Sequence, residues 1–156
     1  MRRVFIDSDV ILDCVLNRVP FSAESSALLS ACELGHLEGI TSTLVLANCY
    51  YVFCRQADAS SARDVVGRLR TLLTVCPVGD REFGEALASD FADVEDGIQH
   101  FVAVNNGGEA IATRNVRDYG SSAIPVCDPA QVLALLANAE HGDPAGPLLP
   151  PATTGQ

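Results

Sequence analysis

The sequence contains no lysine, and all ten of its basic residues are arginines, against twenty acidic residues. This absence excludes a phosphate-binding loop of the GxxxxGK[ST] type, because that loop holds phosphate through its lysine. It also excludes a Schiff-base enzyme, which needs an amine nucleophile. The chemistry of this chain must therefore come from other side chains.

Long apolar runs are missing as well, and none approaches the roughly 20 residues of a membrane span. The basic start at Arg2 and Arg3 is followed by Asp7, Asp9 and Asp13, which interrupt any signal-peptide core. The six cysteines form no CxxC pair and sit in apolar stretches, and the three histidines lack metal-ligand spacing. We therefore expect a cytoplasmic protein with reduced cysteines, no membrane association and no zinc site.

The net charge is −10, which argues against broad, charge-driven binding of nucleic acid. It leaves open an enzyme that cuts nucleic acid at one acidic cleft, since bound cations reverse the local sign of charge.

The 156 residues fit one domain, predicted over residues 1–139. Residues 140–156 hold four of the eight prolines and are predicted to form a flexible Pro/Gly-rich tail. Within the domain, short apolar strands alternate with segments of helical periodicity. The strands are predicted at residues 4–6, 39–41, 72–78, 110–113 and 124–126.

Such alternation predicts an α/β fold with a parallel sheet covered on both faces. Ligands of these sheets bind beyond the carboxyl ends of the strands. Three polar segments are expected there, at residues 7–9, 90–96 and 113–119. Carboxylates that converge on one edge repel one another unless a cation lies between them, and hard oxygen ligands select Mg²⁺ or Mn²⁺.

Each of these residues also has a purely structural interpretation. Asp9 is placed to cap the helix that follows the first strand, and Asp93 to cap the helix that contains Asp96. We favour those two caps, but assign a functional role to Asp7 and to Asp96, whose carboxylate the helix dipole keeps ionised. Asn115 and Asp118, taken alone, could be ordinary turn residues.

Three motifs, in order along residues 2–138, give a resemblance. Phe5 to Asp13 begins with an apolar run and Asp7-Ser8-Asp9-Val10, and resembles the D-[ST]-[ND]-V opening of PIN domains. Residues 91–99, FADVEDGIQ, look like the F-x-D-x-E-D-A-[IL]-Q segment of one PIN subfamily. Residues 113–119, TRNVRDY, look like its T-R-N-x-x-D-F segment.

The resemblance implies a three-layer α/β/α sandwich with a central parallel five-stranded sheet. It further implies a Mg²⁺- or Mn²⁺-dependent ribonuclease, often a VapC-like toxin of a toxin–antitoxin pair. By position, Asp7 and Asp96 would be the metal ligands, Asn115 and Asp118 would complete the polar cluster, and Thr113 would support the loop.

The same resemblance implies an RNA substrate, an antitoxin that inserts a basic side chain into the acidic cleft, and a homodimer. Arg114 and Arg117 could hold RNA phosphates bidentately, or could equally be solvated surface residues.

There are two departures from the motifs. Many PIN nucleases have a glutamate early in the helix after the second strand, where this chain has Asn48. The subfamily often has asparagine there, but an amide binds a divalent cation more weakly than a carboxylate. Gly97 replaces the alanine of the second motif.

Two alternatives follow. A PIN-like binding module with weakened catalysis would explain Asn48. A haloacid-dehalogenase-like phosphatase would use Asp7 as nucleophile and Asp9 as acid/base, but that family normally needs a downstream lysine. Metal titration distinguishes the binding module from an active ribonuclease. Hydrolysis of a phosphomonoester distinguishes the phosphatase from the ribonuclease.

Overall fold

The computed structural model describes residues 2–141. The predicted tail therefore lies outside the described residues apart from its first two, and the division at residue 139 stays a prediction.

Strands and helices alternate along the described chain, as the sequence predicts. The strands are β1 Arg3–Ile6, β2 Glu38–Ser42, β3 Thr74–Cys76, β4 Ala110–Ala112 and β5 Val126–Cys127. The α-helices are α1 Ser8–Val15, α2 Ser22–Glu33, α3 Thr43–Gln56, α4 Ala59–Leu72, α5 Asp80–Leu87, α6 Val94–Asn105 and α7 Pro129–His141. A short 3₁₀ helix, Val116–Tyr119, follows β4.

The strands form one parallel sheet in the order β3-β2-β1-β4-β5. The chain steps outward from β1 to β3 and then returns to β4 on the other side of β1. Because such crossovers are right-handed, the reversal puts α1 to α4 on one face and α5 and α6 on the other. This is the predicted three-layer α/β/α sandwich with a five-stranded parallel sheet.

The strand and helix ends differ from the predictions by a few residues. Strand β3 is shorter than predicted because Leu72 ends α4, where the backbone N–H of Leu73 still donates to the carbonyl of Leu69. The predicted helix stop at Gly35 is confirmed, with φ of 74° in the left-handed region.

The central strands are buried on both faces, as expected for a covered parallel sheet. Phe5, Ile6, Ile40 and Ile111 are all inaccessible to solvent. All six cysteines are free, which agrees with the expectation of reduced thiols. Among residues 2–141, no helix is long and apolar enough to cross a membrane.

Candidate active site

Asp7 follows β1 directly and lies beside the end of β4. Its backbone N–H donates to the carbonyl of Ala112 at 3.0 Å, which continues the β1–β4 pairing by one residue. Its side chain caps α1 by accepting a 2.6 Å hydrogen bond from the backbone N–H of Ser8. The carboxylate is thereby fixed at the carboxyl edge of the sheet, with 8% of the residue exposed.

The burial of Asp7 changes its protonation. Loss of solvation, together with the negative charge of Asp9, raises the pKa of Asp7 to about 6. Hydrogen bonds from the backbone of Ser8 and from the side chain of Tyr119 oppose this shift and lower the pKa. The Tyr119 hydroxyl donates to Oδ2 of Asp7 at 3.1 Å.

Asp96 lies in the first turn of α6, which the side chain of Asp93 caps through a 2.7 Å hydrogen bond from the backbone N–H of Glu95. The predicted cap at Asp93 is therefore confirmed. Partial burial raises the pKa of Asp96 to about 7, and the neighbouring charges of Asp7, Asp93, Asp118 and Glu95 contribute in that order. Asp7 and Asp118 must lie near Asp96 for their charges to act on it.

Asp9 does not cap α1, because Asp7 occupies the cap position one residue before the helix. Asp9 lies in the first turn, and its Oδ2 accepts three hydrogen bonds from the loop after β4. The donors are the Thr113 hydroxyl at 3.1 Å and the backbone N–H groups of Arg114 at 2.9 Å and Asn115 at 3.2 Å. Asp9 thus holds the segment that leads to Asp118.

Asn115 and Asp118 both lie at this loop and are exposed. The backbone N–H of Asn115 donates to the Thr113 hydroxyl at 3.1 Å, and the N–H of Asp118 donates to the Asn115 carbonyl at 3.0 Å. Thr113 is fully buried and so supports the loop from below. The charge of Asp118 raises the pKa of Asp96, whereas the hydrogen bonds of Asn115 to the described residues all involve its backbone.

The two arginines of this loop differ in their surroundings. The Arg114 guanidinium donates to Oδ1 of Asp13 at 3.3 Å and lies 4.5 Å from the ring centroid of Phe21. Arg117 is exposed in the 3₁₀ helix. Of the two, only the Arg114 guanidinium is engaged by a buried carboxylate within the described residues.

Asn48, which departs from the usual glutamate, faces the start of α6. Its amide donates a 2.6 Å hydrogen bond to Oε1 of Glu95, the residue before Asp96. The amide therefore orients a carboxylate of the neighbouring helix. The other departure, Gly97, fits the close packing of α6 on α5, where an added Cβ would come within 3.1 Å of the Ala86 Cβ.

Sequence reasoning missed two residues of this region. Tyr119 is the last residue of the third motif, where the motif has phenylalanine, so the added hydroxyl was a signal visible in the sequence. Gln99 is 1% exposed in α6 and accepts a 2.6 Å hydrogen bond from the Ser42 hydroxyl, which also caps α3. Nothing in the sequence indicates that Ser42 and Gln99 are hydrogen-bonded; the contact is visible only in the folded structure.

The carboxylates of this region supply some, but not all, of the ligands that a hard divalent cation needs. Within residues 2–141, no three His, Cys, Asp or Glu side chains are grouped tightly enough to form a complete metal site. Mg²⁺, however, is commonly bound through one or two carboxylates, with waters and substrate phosphates filling its other positions. Asp7 and Asp96, whose pKa values are raised first by burial and then by neighbouring negative charge, are the carboxylates that could hold such an ion.

Comparisons with known proteins agree with this architecture. A family model described as PIN domain matches residues 3–117. A search of curated protein sequences gave no significant match.

Three solved structures share the fold at low identity. Mycobacterium tuberculosis VapC20, a toxin that cleaves the sarcin–ricin loop, is 16% identical over 69% of this chain and 86% of its own, with a TM-score of 0.58. VapBC2 from Rickettsia felis, bound to a promoter DNA fragment, is 10% identical over 81% and 98%, with a TM-score of 0.60. VapBC-1 from nontypeable Haemophilus influenzae is 11% identical over 82% and 98%, with a TM-score of 0.59.

Proposed function

The chain belongs to the PIN domain family, and from this premise we propose that it is a Mg²⁺- or Mn²⁺-dependent ribonuclease. The observation that carries the proposal is the pair Asp7 and Asp96, two carboxylates at the carboxyl edge of the sheet. Burial and the charge of Asp9 raise the pKa of Asp7 to about 6, and partial burial and the charge of Asp7 raise the pKa of Asp96 to about 7. Crowded carboxylates at such an edge favour a divalent cation.

In this proposal Asp7 and Asp96 hold the metal ion, and Asp118 extends the negative surface beside them. A bound Mg²⁺ or Mn²⁺ supplies a more acidic water and offsets charge on the phosphoryl group. Asn115 positions the attacking water, and Thr113 and Asp9 keep the Asn115 loop in place. Tyr119 holds the Asp7 carboxylate through its hydroxyl.

The substrate of the proposed enzyme is single-stranded or loop RNA, and the bond hydrolysed is a phosphodiester. Arg117, exposed beside Asp118, is the candidate for holding a phosphate. Arg114 is the second candidate, provided that its guanidinium leaves Asp13.

We place the enzyme among VapC-like toxins, paired with an antitoxin and assembled as a homodimer. Support comes from the similar structures, two of which are VapBC assemblies. The acidic cleft suits an antitoxin that inserts an arginine or lysine beside Asp7 and Asp96.

The competing function is a binding module with weakened catalysis, which Asn48 favours because it removes one carboxylate. Asn48 compensates in part for the missing glutamate, because its amide orients the carboxylate of Glu95. The phosphatase alternative is less well supported, because the Oδ2 atom of Asp9 is taken up by three donors of the loop.

The test is cleavage of purified RNA with Mn²⁺, comparing the wild type with Asp96→Asn and with Glu33→Gln, which removes an exposed charge at the end of α2. We expect cleavage by the wild type and by Glu33→Gln, and its loss in Asp96→Asn or on chelation. Calorimetric binding of Mn²⁺ without cleavage would instead favour the binding module.

A further inference from the structure

Positive charge in this acidic molecule is concentrated on one helix pair. Helices α3 and α4 carry four arginines, Arg55, Arg63, Arg68 and Arg70, against the two aspartates Asp58 and Asp64. The whole chain has a net charge of −10. The α3–α4 pair is therefore a cationic surface on a molecule that otherwise repels polyanions.

These four arginines are also free of carboxylate partners. Other arginines in residues 2–141 do pair with acids, as in Arg3 with Glu38 at 2.9 Å and Arg81 with Glu85 at 3.2 Å. None of the four on α3 and α4 has such an ion pair within the described chain. Asp58 is occupied in capping α4, where it accepts from the backbone of Ser60 and Ser61. The positive charge of the four arginines is therefore available to a ligand.

One groove between the two helices combines such an arginine with two tyrosine rings, of which Tyr51 is exposed. It has a volume of about 300 Å³ and is lined by Tyr50, Tyr51, Val66, Arg70 and Val75, among others. Tyr51 is 67% exposed, and its ring meets that of Tyr50 edge to face at 5.8 Å. An exposed aromatic ring beside a free guanidinium is the combination that binds single-stranded nucleic acid, by base stacking and phosphate contact.

The groove starts near the edge of the sheet where the candidate active site lies. Thr43, which also lines it, begins α3 at the carboxyl edge of β2. Tyr51 lies three residues after Asn48 in the same helix, a rise of about 4.5 Å. Asn48 in turn contacts Glu95, next to Asp96. At 3.6 residues per turn, Tyr51 lies between Asn48 and the groove-lining side of α3. A strand of RNA that leaves the acidic site over this exposed face of α3 would therefore pass Tyr51 before it enters the groove.

Resting on the proposed ribonuclease function, we propose that the groove between α3 and α4 is a subsite for a nucleotide beside the cleaved phosphodiester. Tyr51 stacks on its base and Arg70 binds its phosphate. The subsite explains how an enzyme with a strongly negative net charge retains an RNA strand. Stacking tolerates any base, so the subsite supplies affinity without sequence selection.

The test measures binding of a labelled single-stranded RNA by fluorescence anisotropy, in an Asp96→Asn background that leaves the RNA intact. Tyr51→Ser should weaken binding roughly tenfold, whereas Tyr51→Phe keeps the ring and should bind as the parent does. Arg70→Gln should lower the slope of log affinity against log salt by about 0.7, the value for one phosphate contact on a single strand.

Arg68→Gln is the matched control. Arg68 lies on the same helix and its loss removes the same charge, but its side chain lines the groove between α2 and α4 instead. We expect the salt slope and affinity of this variant to stay near those of the parent.

Equal effects of Arg68→Gln and Arg70→Gln would overturn the subsite, because they would indicate only a general charge effect. So would unchanged binding in Tyr51→Ser. Sedimentation analysis adds another refuting outcome: a dimer that Tyr51→Ser dissociates would make this face an interface between copies.

Failure of the nuclease proposal gives a different result. If Tyr51→Ser selectively lost RNA binding but the wild-type chain showed no cleavage that depends on Asp96, the subsite would be supported and the nuclease proposal refuted. If cleavage depended on Asp96 but its KM was unchanged in Tyr51→Ser, the nuclease proposal would be supported and the subsite refuted.

Discussion

The hydroxyl of Tyr119 donates a 3.1 Å hydrogen bond to Oδ2 of Asp7, and both residues are buried, with 2% and 8% exposed. This bond joins the 3₁₀ helix after β4 to the end of β1. It is one of the contacts that lower the pKa of Asp7 against the effect of burial. The motif that residues 113–119 resemble has phenylalanine at this position, so the bond belongs to this chain's own version of the site.

Tyr119→Phe tests that relationship. The ring packing, including the edge-to-face contact with Phe91 at 6.2 Å, should survive, so the free energy of unfolding should fall by only about 1 kcal/mol. Without the donor, the pKa of Asp7 should rise. The acidic limb of the pH–rate profile for RNA cleavage should then move up by about half a pH unit.

Ser30→Ala is the control, because it removes an exposed hydroxyl on α2, outside the proposed site, and should leave the profile in place. An unchanged acidic limb in Tyr119→Phe would mean that the hydroxyl does not tune Asp7.

Much of the fold was predictable because its signals are local. Apolar runs followed by helical periodicity predict five strands and their connections, and Gly35 marks the end of α2. The order β3-β2-β1-β4-β5 is different in kind. It depends on pairings between strands far apart in sequence, and the sequence analysis did not predict it.

The candidate site was predictable where a residue's position relative to a strand end decides its place, as for Asp7. It was not predictable where the partner is distant. Asp9 was expected to cap α1, since cap residues and first-turn residues look alike in sequence. Its actual partners, Thr113 to Asn115, are more than 100 residues away.

Asp9 offers the second prediction, because one oxygen atom serves three donors of the loop after β4. Asp9→Ala leaves the Thr113 hydroxyl and the Arg114 N–H without this acceptor, whereas the Asn115 N–H keeps its bond to the Thr113 oxygen. The substitution should lower the free energy of unfolding by about 3 kcal/mol. Asp9→Asn keeps an acceptor oxygen and should cost less than half as much.

Denaturant unfolding measures the stability, and hydrogen exchange at residues 113–118 shows whether the loop opens. The exchange should accelerate in Asp9→Ala and change little in Asp9→Asn. If both variants behaved alike, the negative charge rather than the hydrogen bonds would hold the loop.

The third prediction concerns the contact between Ser42 and Gln99. The Ser42 hydroxyl accepts from the backbone of Val45 at 3.0 Å and donates to Oε1 of Gln99 at 2.6 Å. The Nε2 atom of Gln99 is buried and has no hydrogen-bond partner among the described residues. Ser42→Ala therefore removes a helix cap and isolates a buried amide, and should cost about 2 kcal/mol.

A double-mutant cycle separates these two costs. Gln99→Leu should be less damaging in the Ser42→Ala background than in the wild type, because the amide has already lost its partner there. Ser30→Ala, at an exposed position of α2, should be close to neutral. Additive effects of Ser42→Ala and Gln99→Leu would show that the two side chains are not coupled.

The last prediction follows from the raised pKa values of Asp7 and Asp96, about 6 and about 7. In the unfolded chain an aspartate titrates near 3.9. Because the folded protein binds these protons more tightly, its stability without metal should fall as the pH rises from about 4 through 7. The melting temperature should be higher at pH 5 than at pH 8 by about 3 °C or more.

Asp96→Asn provides the comparison that isolates this effect from the overall negative charge. It removes the carboxylate on which Asp7, Asp93, Asp118 and Glu95 act, so the difference in melting temperature between pH 5 and pH 8 should shrink, while Glu33→Gln should keep it. Mn²⁺ should raise the melting temperature at pH 8, where the carboxylates are ionised, and have little effect at pH 5. If the melting temperature of the wild type and of Asp96→Asn depended equally on pH without metal, Asp96 would not have the raised pKa on which the proposed metal site depends.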